Sequence, residues 1–541
     1  MGEIHFSKLR FLIADDYSNF RFTVSAMLRN LGIGQVDMAI NGADVLDKCQ
    51  RHTYDVILCD YDLGAGKNGQ QVLEELRFRK LLPRKSLFIL ISADATKDVV
   101  MAAYDCEPDD YLMKPVTTKM LEQRIVRLLH QRQVLGRAYN ALELEDHRRA
   151  IAILGHLASS EHRHSRTAQK MLGELFLAEG EYQRAEALYT RVLQLRPLDW
   201  ARLGLARVMH HLGQLDVAGD WLEKIVQENP LYLPAYDVLA NNWERLGEAR
   251  RVQMTVQRSV EISPKSILRQ KRLGQVAERN GDLNTSLQAL RSTVRLGELS
   301  CHACAEDVFH FARVAAASVE QRLYPAEALL AEVTEAIRVA KERFRLPKEQ
   351  TTRADLLTAR ILAQGGKGER ARLLIREAET LLNTKQDVPL EVHMERIQAL
   401  QALGEKTQAE SLLQDLLQRY ENDQDALEKL DALLSEPVSE TNRALLAAVN
   451  REGIELYNQA RFDEAIDCFE KVRHIFPRHV GVHLNIVQAL IGKLRAGHKD
   501  AHTIKDTEKA LATIGSLIGP THSQYARFQR LQSMAAASMA S

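Results

Sequence analysis

The chain has 541 residues, of which 72 are basic and 72 acidic, so its formal net charge is zero. This length predicts several domains, or one domain joined to a repeat array. A neutral balance gives no indication of nucleic acid or an anionic membrane as a partner. The sequence lacks an apolar run of about 18 residues and a signal-peptide pattern at its start, so we expect neither a membrane span nor export. Six scattered cysteines suit a reducing, cytoplasmic compartment.

Strand-like and helix-like stretches alternate from the start of the chain to about residue 130. Five apolar runs are predicted strands, and a helical pattern follows each of them. The strands are expected at residues 10–16, 36–40, 55–60, 86–94 and 110–115, and the helices at residues 19–32, 42–52, 69–82 and 96–105 and from residue 117 onward. This alternation predicts an α/β domain over residues 1–130, with a doubly wound, five-stranded parallel sheet of the flavodoxin-like type.

Reactive side chains stand where four of the predicted strands end. Asp15 and Asp16 end the first strand, Asp60 the third, Ser92 the fourth and Lys114 the fifth. Because the carboxyl ends of parallel strands meet at one edge of a sheet, we expect these side chains to lie together. Clustered carboxylates repel one another unless a cation offsets their charge, and Mg2+ prefers carboxylate and water oxygens. The pattern therefore predicts a magnesium site suited to phosphoryl transfer onto Asp60.

In combination, these elements resemble the receiver domain of two-component response regulators, of the chemotaxis-receiver type, over residues 8–125. The shared pattern is an acid pair, a strand-terminal Asp, a Ser before a small residue, and the sequence DYLMKP at residues 110–115. The resemblance implies that a sensor histidine kinase phosphorylates Asp60. One departure is the loop YDLGAGKNG after Asp60, which lacks the usual proline and in which Gly69 comes about one residue late.

The resemblance assigns the acids distinct roles. Asp60 is expected to be the phosphoacceptor and to share the Mg2+ ion with the acid pair. Asp16 would bind the metal directly, and Asp15 would act mainly through water. The backbone carbonyl of Asp62 would complete the protein's part of the metal shell.

The remaining motif residues are expected to assist the transfer and to report it. Lys114 would contact the phosphoryl group, and its bond to Pro115 would be cis. Ser92 would donate a hydrogen bond to the phosphoryl group, and Ser92 and Tyr111 would form a coupled switch. Receivers of this kind often form homodimers through the face around the helix at residues 96–105, so a homodimer is a possible assembly.

After about residue 130, a helical repeat replaces the alternation of strands and helices. Glycines recur at residues 180, 213, 247 and 281, with prolines at residues 197, 230 and 264. A sustained period near 34 residues is typical of tetratricopeptide repeats, in which each unit is a helix–turn–helix. The sequence therefore resembles an all-α solenoid, whose concave face is expected to bind a protein or peptide.

The regularity of the repeats varies along the chain. We predict regular repeats at residues 131–298, degenerate helical repeats at 299–440, C-terminal tetratricopeptide repeats at 441–530 and a disordered or frayed tail at 531–541. No flexible linker precedes the repeats, so a helix near residues 117–145 is expected to run from the receiver into the first repeat. The CHAC sequence at residues 301–304 has no second CxxC, and we interpret it as packing rather than as a zinc site.

These features predict a bacterial response regulator that is not an enzyme and whose phosphorylation gates protein binding by the repeats. Two alternatives stay open: a transcriptional response regulator with an unrecognised DNA-binding output, or a phosphate sink that inhibits another phosphorelay. The first would need a basic helix-turn-helix domain, which the sequence after residue 130 does not indicate. The same region shows no catalytic spacing of carboxylates, histidines or glycine-rich loops. The kinase and the partner of the repeats are not specified.

Overall fold

The computed structural model describes residues 5–94, 106–382, 388–498, 500–520 and 522–540. The predicted helix at residues 96–105 lies outside these ranges. The chain divides into two compact units, Met1–Leu273 with Arg291–Ala303, and Gly274–Leu290 with Cys304–Ser541. A search of the described helices finds none long and apolar enough to cross a membrane.

The first unit begins with the predicted parallel sheet. Its strands are β1 (Arg10–Ala14), β2 (Gln35–Ala39), β3 (Val56–Asp60), β4 (Leu87–Ser92) and β5 (Asp110–Met113). A short 3-10 helix (Phe6–Lys8) precedes them, and the helices between them are α1 (Ser18–Asn30), α2 (Gly42–Arg51) and α3 (Gly69–Phe78). The strand order is β2-β1-β3-β4-β5, and all neighbours are parallel. This is the doubly wound, flavodoxin-like topology that the sequence predicts.

The central strand β3 is almost entirely apolar. All five of its residues are buried, because helices cover both faces of a parallel sheet. Val56 and Leu58 contribute to the core on one face, and Ile57 and Cys59 to the core on the other. The next residue along this alternation is Asp60, which the strand carries to the carboxyl edge of the sheet.

One long helix, Thr118–Glu143, connects the sheet to the repeats, as the absence of a flexible linker predicts. We call it the connecting helix. Its first half places Leu121 and Leu128 in the core of the sheet domain. Its second half places Leu135 and Ala138 in the core of the first repeats. The helix therefore belongs to two cores and runs across the domain boundary predicted at residue 130.

An ion pair fastens the middle of the connecting helix to the sheet. Arg132 pairs with Asp109, and its guanidinium carbon lies 4.7 Å from the centroid of the Tyr139 ring. A carboxylate oxygen of Asp109 accepts the backbone N–H of Phe88 at 2.8 Å. Burial raises the pKa of Asp109, and the charge of Arg132 offsets part of this effect. Arg132 thus offsets the negative charge of Asp109 at the amino end of β5.

The repeats of the first unit are pairs of antiparallel helices. Their helices are His147–Ala158, Ser165–Ala178, Tyr182–Leu195, Asp199–His211, Leu215–Glu228, Leu233–Arg245 and Ala249–Ile262, and Ile267–Arg279 and Leu283–Gly297 follow at the division between the units. The four periodic glycines, at residues 180, 213, 247 and 281, have φ between 72° and 80°. Glycine adopts this left-handed conformation without the steric cost of a Cβ atom, which explains its recurrence where the helices turn.

The second unit contains, in its described residues, only helices as regular elements. They are Ala305–Glu320, Ala326–Phe344, Lys348–Gln364, Gly368–Leu382, Leu390–Leu403, Lys406–Arg419, Gln424–Asp431, Glu440–Asn458, Phe462–Ile475, Val480–Arg495, Ala501–Leu517 and Tyr525–Ala540. Alternate helices, such as Ala305–Glu320 and Lys348–Gln364, pack beside each other as neighbouring repeats do. The irregular middle of the sequence therefore keeps the layered packing although it loses the 34-residue period.

The tail expected to be disordered or frayed is instead part of a helix, Tyr525–Ala540. Within it, Leu531 and Ala535 are buried against helices Val480–Arg495 and Ala501–Leu517. The prediction for residues 531–540 was wrong because small and apolar residues at helical spacing bury a face even in a sequence of low complexity.

A tyrosine enclosed by two glycines offers a test of the repeat packing. Tyr189 is fully buried, and a Cβ atom added at Gly204 would lie 2.3 Å from its ring. We expect Gly204→Ala to lower the free energy of unfolding by about 1–3 kcal/mol through overpacking. Gly155→Ala is the matched control, since a Cβ there meets nothing within 4 Å and should be neutral or stabilising by up to ~1 kcal/mol. Chemical unfolding followed by circular dichroism measures both, and equal midpoints would contradict the packing described.

Candidate functional site

Three carboxylates meet at the carboxyl edge of the sheet, at the point where the strand order reverses. Ala14 pairs with Cys59 in the β1–β3 register, so the next residues, Asp15 and Asp60, emerge side by side. Asp15 is fully buried and Asp60 is 6% exposed, whereas Asp16 is exposed. One carboxylate oxygen from each of these three acids lies within 4.8 Å of the others. The structure thus brings together the acids predicted from the sequence.

The ammonium group of Lys114 bridges two of these acids. Its Nζ lies 2.8 Å from Asp15 Oδ2 and 2.6 Å from Asp60 Oδ2. The same nitrogen lies 4.1 Å from the centroid of the Phe20 ring, a cation–π distance. The backbone N–H of Lys114 donates to Ser92 O at 2.8 Å, and the peptide bond to Pro115 is cis, the isomer that the resemblance implies. Lys114 is therefore held in place both by its backbone and by its charged end.

Burial governs the protonation of this cluster. Burial raises the pKa of Asp60 from its ordinary value of 3.8 to about 6, although Lys114 opposes the shift and the charge of Asp15 adds to it. Burial alone would lower the pKa of Lys114, but its hydrogen bonds to Asp15 and Asp60 raise it. At neutral pH the site therefore contains an ionised Asp60 carboxylate beside a protonated lysine.

The loop after β3 packs closely against Asp60 despite its departure from the family pattern. A Cβ atom at Gly69 would lie 2.2 Å from the Asp60 carbonyl oxygen, so only glycine fits there. Tyr61 anchors the loop, because its N–H donates to Ile91 O at 2.7 Å and its carbonyl accepts the N–H of Gly69 at 2.8 Å. Asp62 accepts the N–H of Gly64 on its side chain at 3.1 Å. Although Gly69 comes about one residue late, it still lets the loop backbone lie close to the Asp60 carbonyl.

The two predicted switch residues meet at one backbone atom. The Ser92 hydroxyl lies 3.2 Å, and the Tyr111 hydroxyl 3.0 Å, from the carbonyl oxygen of Asp94. Ser92 also accepts the N–H of Asp94 at 3.0 Å. Ser92 is buried, and the ring of Tyr111 packs on the sheet core. Both hydroxyl hydrogen bonds therefore depend on the position of the Asp94 carbonyl.

The donor set suits a hard divalent cation. Three carboxylates face one lysine, which leaves an excess of negative charge, and all of the available donors are oxygens. Asp15 is already engaged, because Oδ1 accepts the N–H of Tyr17 at 2.8 Å and Oδ2 is paired with Lys114. The exposed Asp16 is thus better placed for direct ligation. The residues present fit Mg2+.

Two neighbours of the site were not singled out from the sequence. The Arg21 guanidinium donates to the backbone carbonyls of Asp15 at 2.6 Å and Asp16 at 3.1 Å, and so supports the acid pair. Phe20 provides the ring beside Lys114. Both follow the acid pair by about one helical turn, which is the only signal that could have indicated them.

Comparisons with known proteins divide the chain at the connecting helix. A family model described as the response regulator receiver domain matches residues 11–126. Two models of the tetratricopeptide repeat match residues 135–199 and 176–241. These matches cover the sheet domain and the repeats as far as residue 241.

Three proteins similar to part of this chain are chemotaxis or CheY-like receiver proteins, and each matches 23% of the chain. Chemotaxis protein CheY-3 of Vibrio cholerae serotype O1 is 24% identical over 123 residues, which cover 23% of this chain and 93% of the relative. Chemotaxis protein CheY of Pseudomonas aeruginosa is 24% identical over 23% of this chain and 98% of its own length. A CheY-like receiver protein from Methanospirillum hungatei, of known structure, is 23% identical over 23% of this chain and 96% of that chain, with a TM-score of 0.21.

The raised pKa of Asp60 predicts a pH-dependent stability. Between pH 3.8 and about 6 the folded protein binds more protons at Asp60 than the unfolded chain, so stability falls as pH rises through this window. We expect Asp60→Asn to stabilise the metal-free protein at pH 7.5 by on the order of 1–3 kcal/mol, with the gain vanishing near pH 4. Chemical unfolding in the presence of a chelator measures this difference.

The control for this substitution is Asp16→Asn, which changes an exposed acid of the same cluster. It should alter stability much less at either pH. A gain for Asp60→Asn that is the same at pH 4 and pH 7.5 would show that burial of the charge is not its cause.

Proposed function

Because residues 11–126 form a response regulator receiver domain and residues 135–241 carry tetratricopeptide repeats, we propose that this chain is a response regulator whose phosphorylation at Asp60 controls protein binding by its repeats. The observation that carries the proposal is the cluster of Asp15, Asp16, Asp60 and Lys114 at the reversal of the strand order. We infer a histidine kinase as the phosphodonor and a bacterial, cytoplasmic setting for the protein.

The proposed reaction is the transfer of a phosphoryl group from a phosphohistidine to Asp60. An oxygen of the Asp60 carboxylate attacks phosphorus; the P–O bond forms as the P–N bond to the imidazole breaks. Lys114 holds its positive charge against Asp60 and offsets the charge on the phosphoryl oxygens. Mg2+, held by Asp16, Asp60 and the backbone carbonyl of Asp62, and by Asp15 through water, would add further positive charge at this point.

Neutral pH suits the proposed nucleophile. With a pKa of about 6, Asp60 is ionised at pH 7 and can attack. The acyl phosphate that forms carries more negative charge than the carboxylate, and Lys114 offsets part of this charge. Lys114 stays protonated because two carboxylates raise its pKa. The chain's own residues therefore supply the protonation states that the transfer needs.

The output proposed is binding rather than catalysis. In the proposed switch, the Ser92 hydroxyl turns to the phosphoryl group. The Asp94 backbone then loses its two hydrogen bonds to Ser92 and can shift together with Tyr111, which is bound to the same carbonyl. The connecting helix follows β5 directly and enters the first repeat, so it provides a rigid route from this edge to the helices beyond. We propose that the repeats bind a protein or peptide, with a homodimer of receivers as a further possible assembly.

A DNA-binding output is less well supported than a protein-binding one. Several cations on the described repeats of the first unit are paired with acids of neighbouring helices, for example Arg207 with Glu174 at 2.5 Å and Arg251 with Glu223 at 2.6 Å. Such pairing disfavours the unneutralised basic stripe that a phosphate backbone requires. A phosphate sink would use the same site chemistry, and the partner experiments below distinguish it.

Phosphorylation of the purified chain tests the chemistry. We expect a small-molecule phosphodonor with Mg2+ to add one phosphoryl group, seen by intact mass spectrometry, and Asp60→Asn to abolish it. Lys114→Ala should lower the initial rate at least about tenfold, because it removes the charge that offsets the phosphoryl oxygens. Lys119→Ala, an exposed neighbour, is the control. Labelling of the Asp60→Asn variant at the wild-type rate would refute the assignment of the phosphoacceptor.

The connecting helix predicts how phosphorylation reaches the repeats. We expect beryllofluoride with Mg2+ to change the set of lysate proteins that wild type retains, with Asp60→Asn as the reference. A flexible Gly-Ser insert after Gly136 should abolish this dependence, whereas Gly136→Ala, which meets nothing within 4 Å and preserves the helix, should retain it. Unchanged dependence in the insert variant would exclude transmission through a rigid helix, and identical proteins in all forms would favour the phosphate sink.

A further inference from the structure

Within the first unit, the sheet domain touches residues 298–303, which follow helix Leu283–Gly297. The ammonium of Lys67 donates to the carbonyl oxygen of Leu299. The rings of Phe78 and His302 meet edge to face, with their centroids 5.6 Å apart and their planes at 81°. A third contact places the Lys265 Nζ 5.9 Å from the centroid of the Tyr61 ring. These contacts join parts of the sequence that are about 200 residues or more apart.

On the receiver side, the contacts converge on the loop that follows the phosphoacceptor. Tyr61 is the residue after Asp60, and Lys67 lies in the same loop, two residues before the glycine that packs on Asp60. Lys67 also pairs at 2.9 Å with Glu75, which is buried in α3. The loop is thus held at Tyr61 and at Lys67, and a movement of Lys67 would change its contact with Leu299.

On the repeat side, the contact residues occupy equivalent positions of successive repeats. Lys265 and residues 299–303 each lie in the turn between one helix pair and the next, at an interval close to the repeat period. We call these two turns the turn row.

The last turn of the row is organised independently of the receiver. The Lys271 ammonium donates to the carbonyl of His302 at 2.6 Å, and the Ser300 hydroxyl accepts the N–H of His302 at 3.1 Å. These bonds present the Leu299 carbonyl and the His302 ring together. The turn therefore offers a formed surface with one acceptor and one aromatic group, which match Lys67 and Phe78.

We propose that the turn row is a docking surface for the receiver's own loop 61–68 and α3, and that this docking is energetically coupled to occupancy of the site at Asp60. The proposal rests on the function proposed above. The same loop carries Asp62, whose carbonyl is proposed to join the metal shell, and Lys67, which anchors the receiver to the repeats. Occupancy of the site and docking thus constrain the same backbone. Coupling of this kind is reciprocal, so a change made only in the repeats must alter the affinity of the site.

Variants of the turn row test this reciprocity without touching the receiver. The full chain is titrated with beryllofluoride at fixed Mg2+, and the bound fluoride is followed by 19F NMR. We expect His302→Ala and Lys265→Ala to shift the half-saturating concentration at least about threefold relative to wild type. Lys224→Ala, an exposed lysine on the helix Leu215–Glu228, is the matched control and should leave the concentration unchanged.

A double variant checks that the effect passes through the docking contact. Because Phe78 and His302 contact each other, Phe78→Ala combined with His302→Ala should shift the concentration no further than the larger single effect. Circular dichroism confirms that each variant keeps its helical content. A shift in either direction supports the coupling, and equal concentrations in wild type and all folded variants overturn it. Absence of bound fluoride in wild type would instead refute the proposed function, and with it the coupling.

Discussion

The bridge from Lys114 to Asp15 and Asp60 is the interaction on which the carboxyl edge of the sheet depends. A parallel sheet buries its strands on both faces, and this fold brings two acids to adjoining strand ends under that cover. Without a cation between them, the two negative charges would repel each other, and burial would disfavour the ionised form further. Lys114 offsets only part of the free energy needed to bury an ionised Asp60, and the remainder raises the pKa of Asp60.

Two separate paths lead from this edge to the repeats. The connecting helix starts beyond β5 and shares its apolar residues between two cores, so its orientation is set by both. The loop after β3 reaches the turn row directly through Lys67. One path begins near Lys114 and the other at Asp60, so under the proposed function a change in the ion pair between these two residues would act on both. A receiver held at two points can transmit a small displacement that a single flexible tether would absorb.

The fold and the chemical site could be predicted from the sequence because each depends on a local pattern. Apolar runs ending in acids predict strand ends, and a glycine every 34 residues predicts the turns of the repeats. The hydrogen bonds that link Ser92 and Tyr111 could not be predicted, because both hydroxyls use a backbone carbonyl, at Asp94, that no side-chain pattern records. The contact of Lys67 with Leu299 could not be predicted either, because its acceptor is a backbone oxygen 232 residues away in the sequence.

The position of Arg132 has a consequence for how such a protein can be divided or recombined. The receiver match ends at residue 126, but the cation that compensates Asp109 lies six residues later, within the repeat-bound half of the same helix. A receiver excised at the end of the match would keep the acid and lose that arginine. Transfer of this receiver onto another output therefore requires the donor helix as far as Tyr139, whose ring supports the arginine. The segment that must be kept together is therefore longer than the segment that matches the receiver family.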